Sequence, residues 1–418
     1  MDFFEVQFAL DTFYAVMAGA LVMWMAAGFT MLEAGMVRAK NASEIVTKNL
    51  GLYSIACIMY LTCGFYLMYS PDSFGGVLPQ IGSNWSLAVP AAEDIDAAMQ
   101  YNIEEDGTGY YAEQADFFFQ VVFVATAMSI VSGAVAGRMK MLPFFLFAVV
   151  LTGFIYPIQG YWNWGSGFLS ANGYSDYAGS GTVHLCGAAA ALAVVTVLGA
   201  RNGKYNSDGS ANLIPGSNIP MAALGVWILW LAWFGFNGGS ELKVSSGSSA
   251  ISVAQVFMNT NLAATGGVVA TLLTSLIKTG KMDITMAMNG AIAGLVAITA
   301  GPSAPSGGEA VIIGAVGGVI VYFSILFFER ILKVDDPVGA ISAHGTVGIY
   351  GVMVVPLTSD ATFGAQLLGV VLIAGFTYVM SWLTIYVINL FMPIRASDTE
   401  QEVGLDLTET GVEAYPDF

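Results

Sequence analysis

Long apolar stretches alternate with short polar breaks along nearly the whole chain. The breaks carry charges, glycine or proline, and they separate about eleven hydrophobic segments. A helix needs roughly 20 apolar residues to cross the hydrocarbon core of a bilayer, and most segments reach about that length. The pattern predicts membrane-spanning helices at residues 11–36, 49–70, 117–137, 142–162, 179–199, 219–239, 252–277, 284–301, 309–328, 338–357 and 362–392.

Composition supports this interpretation and excludes several classes of protein. The 418 residues are 56% hydrophobic and only 10% charged, whereas soluble domains carry about 25% charged residues. The three cysteines lie in apolar segments without metal-site spacing, and no nucleophile–base set is recognisable, so we expect no metal, no cofactor and no enzyme. A net charge of −17 argues against nucleic-acid binding. We predict an all-α polytopic protein of the cell membrane, surrounded by the lipid bilayer.

The basic residues predict the orientation, because Lys and Arg collect in cytoplasmic loops. Of 13 such residues, 12 follow odd-numbered segments, and only Lys243 lies on the other side. We therefore expect 11 transmembrane helices, an external N-terminus and a cytoplasmic tail at residues 396–418. The loop at 70–116 is then external. It holds nine acidic residues and no basic ones, which favours a solvated cap over a cation-collecting vestibule.

Two histidines, His184 and His344, are the only ones in the chain, and both lie within apolar segments. Asp176 and Asp336 each precede a histidine by eight residues. An aspartate at the start of a helix caps free N–H groups. Eight helical residues advance a side chain by ~12 Å, close to half of the ~30 Å hydrocarbon core, so both rings are expected near the midplane.

The repeated Asp-x7-His spacing suggests internal symmetry. Because five crossings separate the two motifs, their helices enter from opposite sides, which predicts an inverted five-plus-five repeat. Repeat one covers about 1–200, repeat two 201–358, and an eleventh helix 359–395, all within a membrane domain at 1–395. Two facing neutral imidazoles can share a proton. The alternative is two unrelated histidines, each bonded to a carbonyl.

Six motifs follow one another in a fixed order over almost the whole chain. On these motifs the chain resembles the Amt/Mep/Rh ammonium transporter family, on its Amt branch. The motifs are GFTMLEAGMVRAKN at 28–41, the stretch from Asp176 to His184, WFGFNGGS at 233–240, NTNLAAT at 259–265, AHGTVGIYG at 343–351 and GLD at 404–406.

The resemblance implies transport of ammonium or ammonia and an external ammonium-binding site of Trp164, Phe123 and Ser240, with Asp176 beneath it. The physics is consistent, because aromatic faces attract cations by ~0.5–2 kcal/mol. A hydroxyl oxygen can also accept an N–H bond, which ammonium donates and potassium does not.

The resemblance further implies a pore gated by two stacked phenylalanines, Phe123 and Phe236. Beyond the gate it places His184 and His344 as the pore histidines. Without this resemblance, ordinary helix packing is the expected role of any phenylalanine in such a chain.

Assembly and regulation are implied in the same way. The resemblance implies a homotrimer, a PII-type nitrogen regulatory protein as partner at the cytoplasmic face, and a regulatory tail containing Gly404, Asp406 and Thr408. Phosphorylation at Thr408 would add negative charge against tail docking. The alternative function is an ammonium sensor that signals through a cytoplasmic domain. We expect transport instead, because no such domain is recognisable up to Phe418.

Overall fold

The computed structural model describes residues 3–71, 74–87 and 111–416, and these ranges fold mainly into helices. Nine helices there are long and apolar enough to cross a membrane, and two shorter apolar helices accompany them. In chain order the helices are α1 (Phe3–Met36), α2 (Ala39–Met68), α3 (Glu113–Val135), α4 (Met141–Ala171, with a turn at 164–167), α5 (Ser180–Leu198), α6 (Ile219–Gly239), α7 (Gly247–Thr279), α8 (Ile284–Thr299), α9 (Gly307–Ile331), α10 (Ile341–Leu357) and α11 (Phe363–Phe391).

Each helix overlaps one predicted segment, but the ends differ. Helix α1 begins at Phe3 rather than at residue 11, and α7 begins at Gly247 rather than at 252. The small and polar first residues of α7, Gly247, Ser248 and Ser249, explain why hydropathy places its start too late. The interpretation of the acidic loop at 70–116 falls largely on residues 88–110, which lie outside the described residues, so it stays a prediction.

Glycines bring helix backbones into close contact. A Cβ on Gly225 of α6 would lie 2.3 Å from the Leu32 nitrogen of α1, and one on Gly35 would lie 2.5 Å from the Ala222 nitrogen. Helices α7 and α9 meet in the same way at Gly314, where a Cβ would lie 1.9 Å from the Ala263 oxygen. Small residues at helix interfaces allow this approach in membranes.

Several loops that carry basic residues gather on one face of the helix bundle. Arg201 forms an ion pair with Asp335 at 2.8 Å, and Arg138 donates to the Asp335 carbonyl oxygen at 2.6 Å. Lys140 pairs with Glu400 of the tail at 2.7 Å. These contacts join the loops after α3, α5 and α9 to the tail, so these three loops and the tail lie together, as the charge pattern predicted for them.

The opposite face is formed by other loops. Asp11 of α1 accepts bonds from the backbone nitrogens of Val244 and Ser245, at 2.7 and 2.9 Å. Tyr177, before α5, donates to Glu241 at 2.6 Å. Loops that follow even-numbered helices therefore meet at this second face.

Candidate functional site

Asp176 organises the start of α5. Its Oδ2 accepts hydrogen bonds from the backbone nitrogens of Gly181 (3.0 Å) and Thr182 (2.8 Å) and from the Thr182 hydroxyl (2.9 Å). Its Oδ1 accepts from the Gly179 nitrogen at 3.2 Å. Gly179 has a φ of +105°, a conformation that strongly favours glycine. The predicted capping role is confirmed, and the carboxylate is buried with most of its capacity used within the protein.

Asp336 repeats this arrangement before α10. Its Oδ1 accepts from the Gly339 nitrogen at 3.1 Å, and its Oδ2 accepts from the Ile341 nitrogen at 2.7 Å. Gly339, like Gly179, lies three residues after its aspartate and has a positive φ, here +79°. The two Asp-x7-His motifs therefore share local geometry as well as spacing. The spacing alone did not decide whether their geometry would match.

The two histidines lie in contact at the centre of the bundle. Their Nδ1 atoms are 3.2 Å apart and their ring centroids 5.1 Å apart, and both side chains are buried. One Nδ1 donates and the other accepts, so the pair shares one hydrogen between the rings. The expected facing pair is confirmed, and the alternative of two separate histidines is excluded.

Both histidines lie in π-helical turns, Ser180–Leu185 for His184 and Ile341–Thr346 for His344. A π turn adds a residue to the helical repeat and re-aims the side chains within it, and such turns are frequent at functional sites. The local sequence carries no signal that distinguishes a π turn from regular α-helix, so this feature is visible only in the structure.

A row of rings leads from Trp164 to the histidines. The ring of Phe123 packs edge-on against Trp164 at 6.0 Å and stacks on Phe236 at a centroid distance of 4.0 Å and an interplanar angle of 25°. Phe236 lies 5.3 Å from His184. Rings stacked at 4.0 Å are in van der Waals contact, so no molecule fits between the two phenylalanines unless a ring moves.

The remaining residues of the expected ammonium site, Asp176 and Ser240, are hydrogen-bonded to rings or backbone of this row. The Trp164 indole nitrogen donates to the Asp176 carbonyl oxygen at 3.0 Å, which orients the ring. The Ser240 hydroxyl donates to the Phe236 carbonyl oxygen at 2.9 Å. Because its hydrogen is committed to the backbone, the oxygen of Ser240 presents lone pairs, as an acceptor for a cationic N–H donor requires.

Two aromatic residues near the histidines were not singled out from the sequence. Trp233 stacks on His184 at 4.9 Å and donates its indole N–H to Thr299 at 2.8 Å. Phe29 lies 6.0 Å from His344. Both belong to motifs with many apolar residues, where nothing local marks one ring as a neighbour of a distant histidine.

The tail is docked against the basic face. The Leu405 nitrogen donates to Asn41 at 3.0 Å, and Asp406, which is buried, accepts from the Glu44 nitrogen at 2.9 Å. The exposed Thr408 donates its hydroxyl to the Gly404 carbonyl oxygen at 3.0 Å. The motif at 404–406 therefore joins the tail to the junction of α1 and α2.

Ion pairing strengthens this docking. The hydrogen bond from Lys140 lowers the pKa of Glu400 to about 2, so this carboxylate is ionised at neutral pH. Glu409 accepts a bond from the Met141 nitrogen at 2.9 Å. An acidic tail is thus held on a basic surface.

Comparison with known proteins decides the family. The model of the Ammonium Transporter Family matches residues 13–415. The chain belongs to the Ammonium Transporter Family. Its relatives include the ammonium transporter Amt2 of Archaeoglobus fulgidus, 36% identical over 98% of this chain and 89% of the relative. Another is the ammonium transporter Amt1 of Methanocaldococcus jannaschii, 33% identical over 99% of both chains.

Solved structures of this family share the fold. A sensor Amt protein superposes with a TM-score of 0.87 and 31% identity, covering 97% of this chain and 99% of that one. Mep2 of Candida albicans superposes with a TM-score of 0.80 over 96% of this chain and 89% of its own, at 24% identity. As a member of the Ammonium Transporter Family, the chain is a multi-pass membrane protein and not an enzyme.

Proposed function

We propose that the protein carries ammonium nitrogen across the cell membrane through a pore that passes Phe123, Phe236, His184 and His344. The observation that carries the proposal is the continuous row of rings that ends in two histidines in hydrogen-bonding contact at the centre of the bundle. A small N–H donor needs polar partners inside an apolar bundle, and the two imidazoles are placed to supply them.

The outer end of the row is proposed to capture ammonium. The faces of Trp164 and Phe123 attract the cation, and the oxygen of Ser240 accepts one of its N–H bonds. Because Phe123 and Phe236 are in contact, a hydrated ion cannot pass. We propose that ammonium loses its proton near these rings, and that ammonia crosses when they move.

Topology and assembly belong to the same proposal. Helices α8 and α10 are shorter than the other nine, and we propose that they also cross, giving eleven crossings. The N-terminus is then external and the basic face with its tail cytoplasmic, as the positive-inside rule predicts. The mirrored caps of α5 and α10 support an inverted five-plus-five repeat. We propose a homotrimer, and a PII-type nitrogen regulator as partner for the tail surface of Gly404, Asp406 and Thr408.

The test is flux through the purified protein in liposomes. A pulse of ammonium chloride should produce an ammonium-dependent current or internal pH change, whereas a pulse of potassium chloride should not. His184→Ala and His344→Ala should reduce the preference for ammonium over potassium, because each removes polar partners from the pore. Wild-type protein without any ammonium-dependent signal would contradict transport.

Sensing is the second candidate, because a structure closely similar to this chain is a sensor Amt protein and because the phenylalanine gate is closed. The two functions separate in one experiment. A transporter binds ammonium and moves it, whereas a sensor binds it, for example with a change in Trp164 fluorescence, and gives no flux in the same liposomes.

A further inference from the structure

A small cavity lies next to His344 on the side away from Trp164. The centre of a water-sized sphere can move through about 10 Å³ inside it. That is close to the space a single water or ammonia molecule needs. Glu33, Asn289, Phe29 and Gly133 line it together with His344. Gly133 lies ten residues after Phe123 on α3, a displacement of ~15 Å along that helix, so the cavity and the gate are on opposite sides of the histidines.

Glu33 is completely buried at this cavity, and only one of its two carboxylate oxygens accepts hydrogen bonds. Its Oε2 accepts from Asn49 at 3.0 Å and from Ser132 at 2.8 Å. Its Oε1 has no hydrogen-bond partner among the described residues. An ideal Cβ on Gly133 would lie 3.4 Å from this oxygen, so Oε1 points to the wall of the cavity that Gly133 forms.

A second polar oxygen at the cavity, on Asn289, also lacks a partner. Asn289 donates its amide to the Thr285 carbonyl oxygen at 3.1 Å, while its own Oδ1 has no partner in the described part of the chain. Two buried acceptors facing one small space require a donor, since an unsatisfied buried polar atom costs about 1–3 kcal/mol. Ammonia and ammonium are small molecules with several N–H donors, and both fit this requirement.

The charges around Glu33 indicate what kind of donor the cavity should hold. The charged groups near Glu33 on the packed helices are Lys48 and Glu44, and these two form an ion pair with each other. Lys48 also donates to the Met139 carbonyl oxygen at 2.7 Å. Its charge is therefore already matched, and an ionised Glu33 needs another cation, because a buried charge is costly unless paired. A proton or an ammonium ion meets that need.

We propose that Glu33, Asn289 and the adjacent edge of His344 form an inner ammonium site, where the Glu33 carboxyl group exchanges a proton with ammonia that has passed the histidines. In this step the O–H bond of the carboxylic acid breaks and an N–H bond forms, leaving a carboxylate and a bound ammonium ion. When ammonium leaves, hydronium from the aqueous phase on that side protonates the carboxylate again. The inference rests on the proposed function and adds the residue at which ammonium is re-formed.

Infrared difference spectroscopy tests the site independently of flux. Adding ammonium chloride to wild-type protein should increase the carboxylate signal at the expense of the protonated carboxyl signal, whereas potassium chloride should not. Glu33→Gln keeps an acceptor for Asn49 and Ser132 and should abolish the change. Asp11→Asn, which removes a buried carboxylate that lies outside the cavity and accepts from the Val244 and Ser245 nitrogens, should retain it. No signal in wild type, or the same signal in Glu33→Gln, would overturn the inner site.

Flux measured on the same preparations separates the two proposals. Glu33→Gln should lower the ammonium-dependent signal about tenfold, the usual worth of a lost bond to a charged group, and flatten its dependence on pH. Thermal unfolding checks that each variant is folded. If wild type gives the infrared change but no flux, transport is wrong and the site stands. If wild type transports and folded Glu33→Gln matches it at every pH, the inner site is wrong.

Discussion

The two aspartates before the histidine helices have the same hydrogen-bonding task but different neighbours. Asp176 caps α5 and accepts, through its backbone oxygen, the N–H of Trp164. Asp336 caps α10 on the basic face, and its pKa is raised by burial, which the backbone bonds from the start of α10 oppose. At the residue scale, comparing these two aspartates separates the role of a helix cap from a role at the proposed ammonium site.

Asp176→Asn should damage both stability and ammonium capture. The substituted amide nitrogen faces the N–H donors that the carboxylate now accepts, so at least one donor loses its partner at a cost of about 1–3 kcal/mol. The turn before α5, whose Asp176 carbonyl oxygen orients Trp164, then loosens. We expect a lower unfolding temperature and a weaker apparent affinity for ammonium, measured by thermal unfolding and by concentration-dependent liposome currents.

Asp336→Asn is the matched control for this change. It removes the equivalent cap at the other end of the bundle and should lower the unfolding temperature by a similar amount. Its apparent affinity for ammonium should stay close to that of wild type, because Trp164 and Ser240 are remote from α10's capped end. Equal losses of affinity in both variants would assign Asp176 a purely structural role.

The chemistry of the residues themselves predicted only the two histidines and the two aspartates, whereas Trp164, Phe123, Phe236 and Ser240 followed from the family resemblance alone. A histidine or aspartate within an apolar segment stands out, because burying an ionisable group is costly without a purpose. Nothing in the sequence marked Trp233, Phe29 or Glu33 as part of the site. An aromatic ring or a glutamate at a helix end has many ordinary roles, and only packing reveals which one applies.

At the scale of elements, the tail depends on one backbone conformation. Gly404 has a φ of +118°, and an ideal Cβ there would lie 2.7 Å from both the Cβ and the carbonyl oxygen of Lys40. Lys40 also donates to the Glu402 carbonyl oxygen. Position 404, directly after the short helix Asp398–Val403, therefore requires glycine for two reasons. Its positive φ is unfavourable for other residues, and a side chain there would clash with Lys40.

Gly404→Ala should release the tail from the junction of α1 and α2. The helices themselves should remain folded, because the change lies outside them. Limited proteolysis should cleave the variant in the tail faster than wild type. Gly411→Ala is the control, since Gly411 also has a positive φ, +71°, but nothing lies near its Cβ position. Equal protection of the tail in Gly404→Ala and wild type would refute this account.

At the scale of the whole molecule, a buried ion pair ties the two halves of the chain together. Asp335, before α10, accepts two bonds from the Arg201 side chain at 2.8 Å each, and a third from its backbone nitrogen. Burial alone would raise the pKa of Asp335, but the bonds from Arg201 and the charge of Arg138 outweigh it and hold the pKa below its usual range. Burial lowers the pKa of Arg138 to about 10, although the charge of Asp335 opposes this shift.

Asp335→Asn should destabilise the protein at neutral pH by about 3–5 kcal/mol, because it leaves a buried arginine without its partner. A carboxylate with a depressed folded pKa stabilises fully above its unfolded pKa of about 3.9, and that contribution is lost as the pH falls through the folded value. The gap in unfolding temperature between wild type and variant should therefore narrow below about pH 4.

The exposed Asp360 provides the control for that measurement. Asp360→Asn should unfold at the wild-type temperature throughout the pH range, because surface substitutions usually change stability by less than about 0.5 kcal/mol. A constant gap between Asp335→Asn and wild type from neutral to acidic pH would show that the Asp335 carboxylate is not ionised in the folded protein.

The sequence alone determined the class of protein, the approximate positions of the helices and the grouping of the basic loops. These properties follow from hydrophobicity and charge summed over many residues, and the bilayer imposes them on any chain of this composition. Only the tertiary structure decided that the Nδ1 atoms of His184 and His344 meet, that both rings lie in π turns, and that Glu33 lines a small cavity beside them. Those outcomes depend on contacts between residues far apart in the chain, such as the 3.2 Å contact between histidines 160 positions apart, and no local pattern in the chain encodes such a contact.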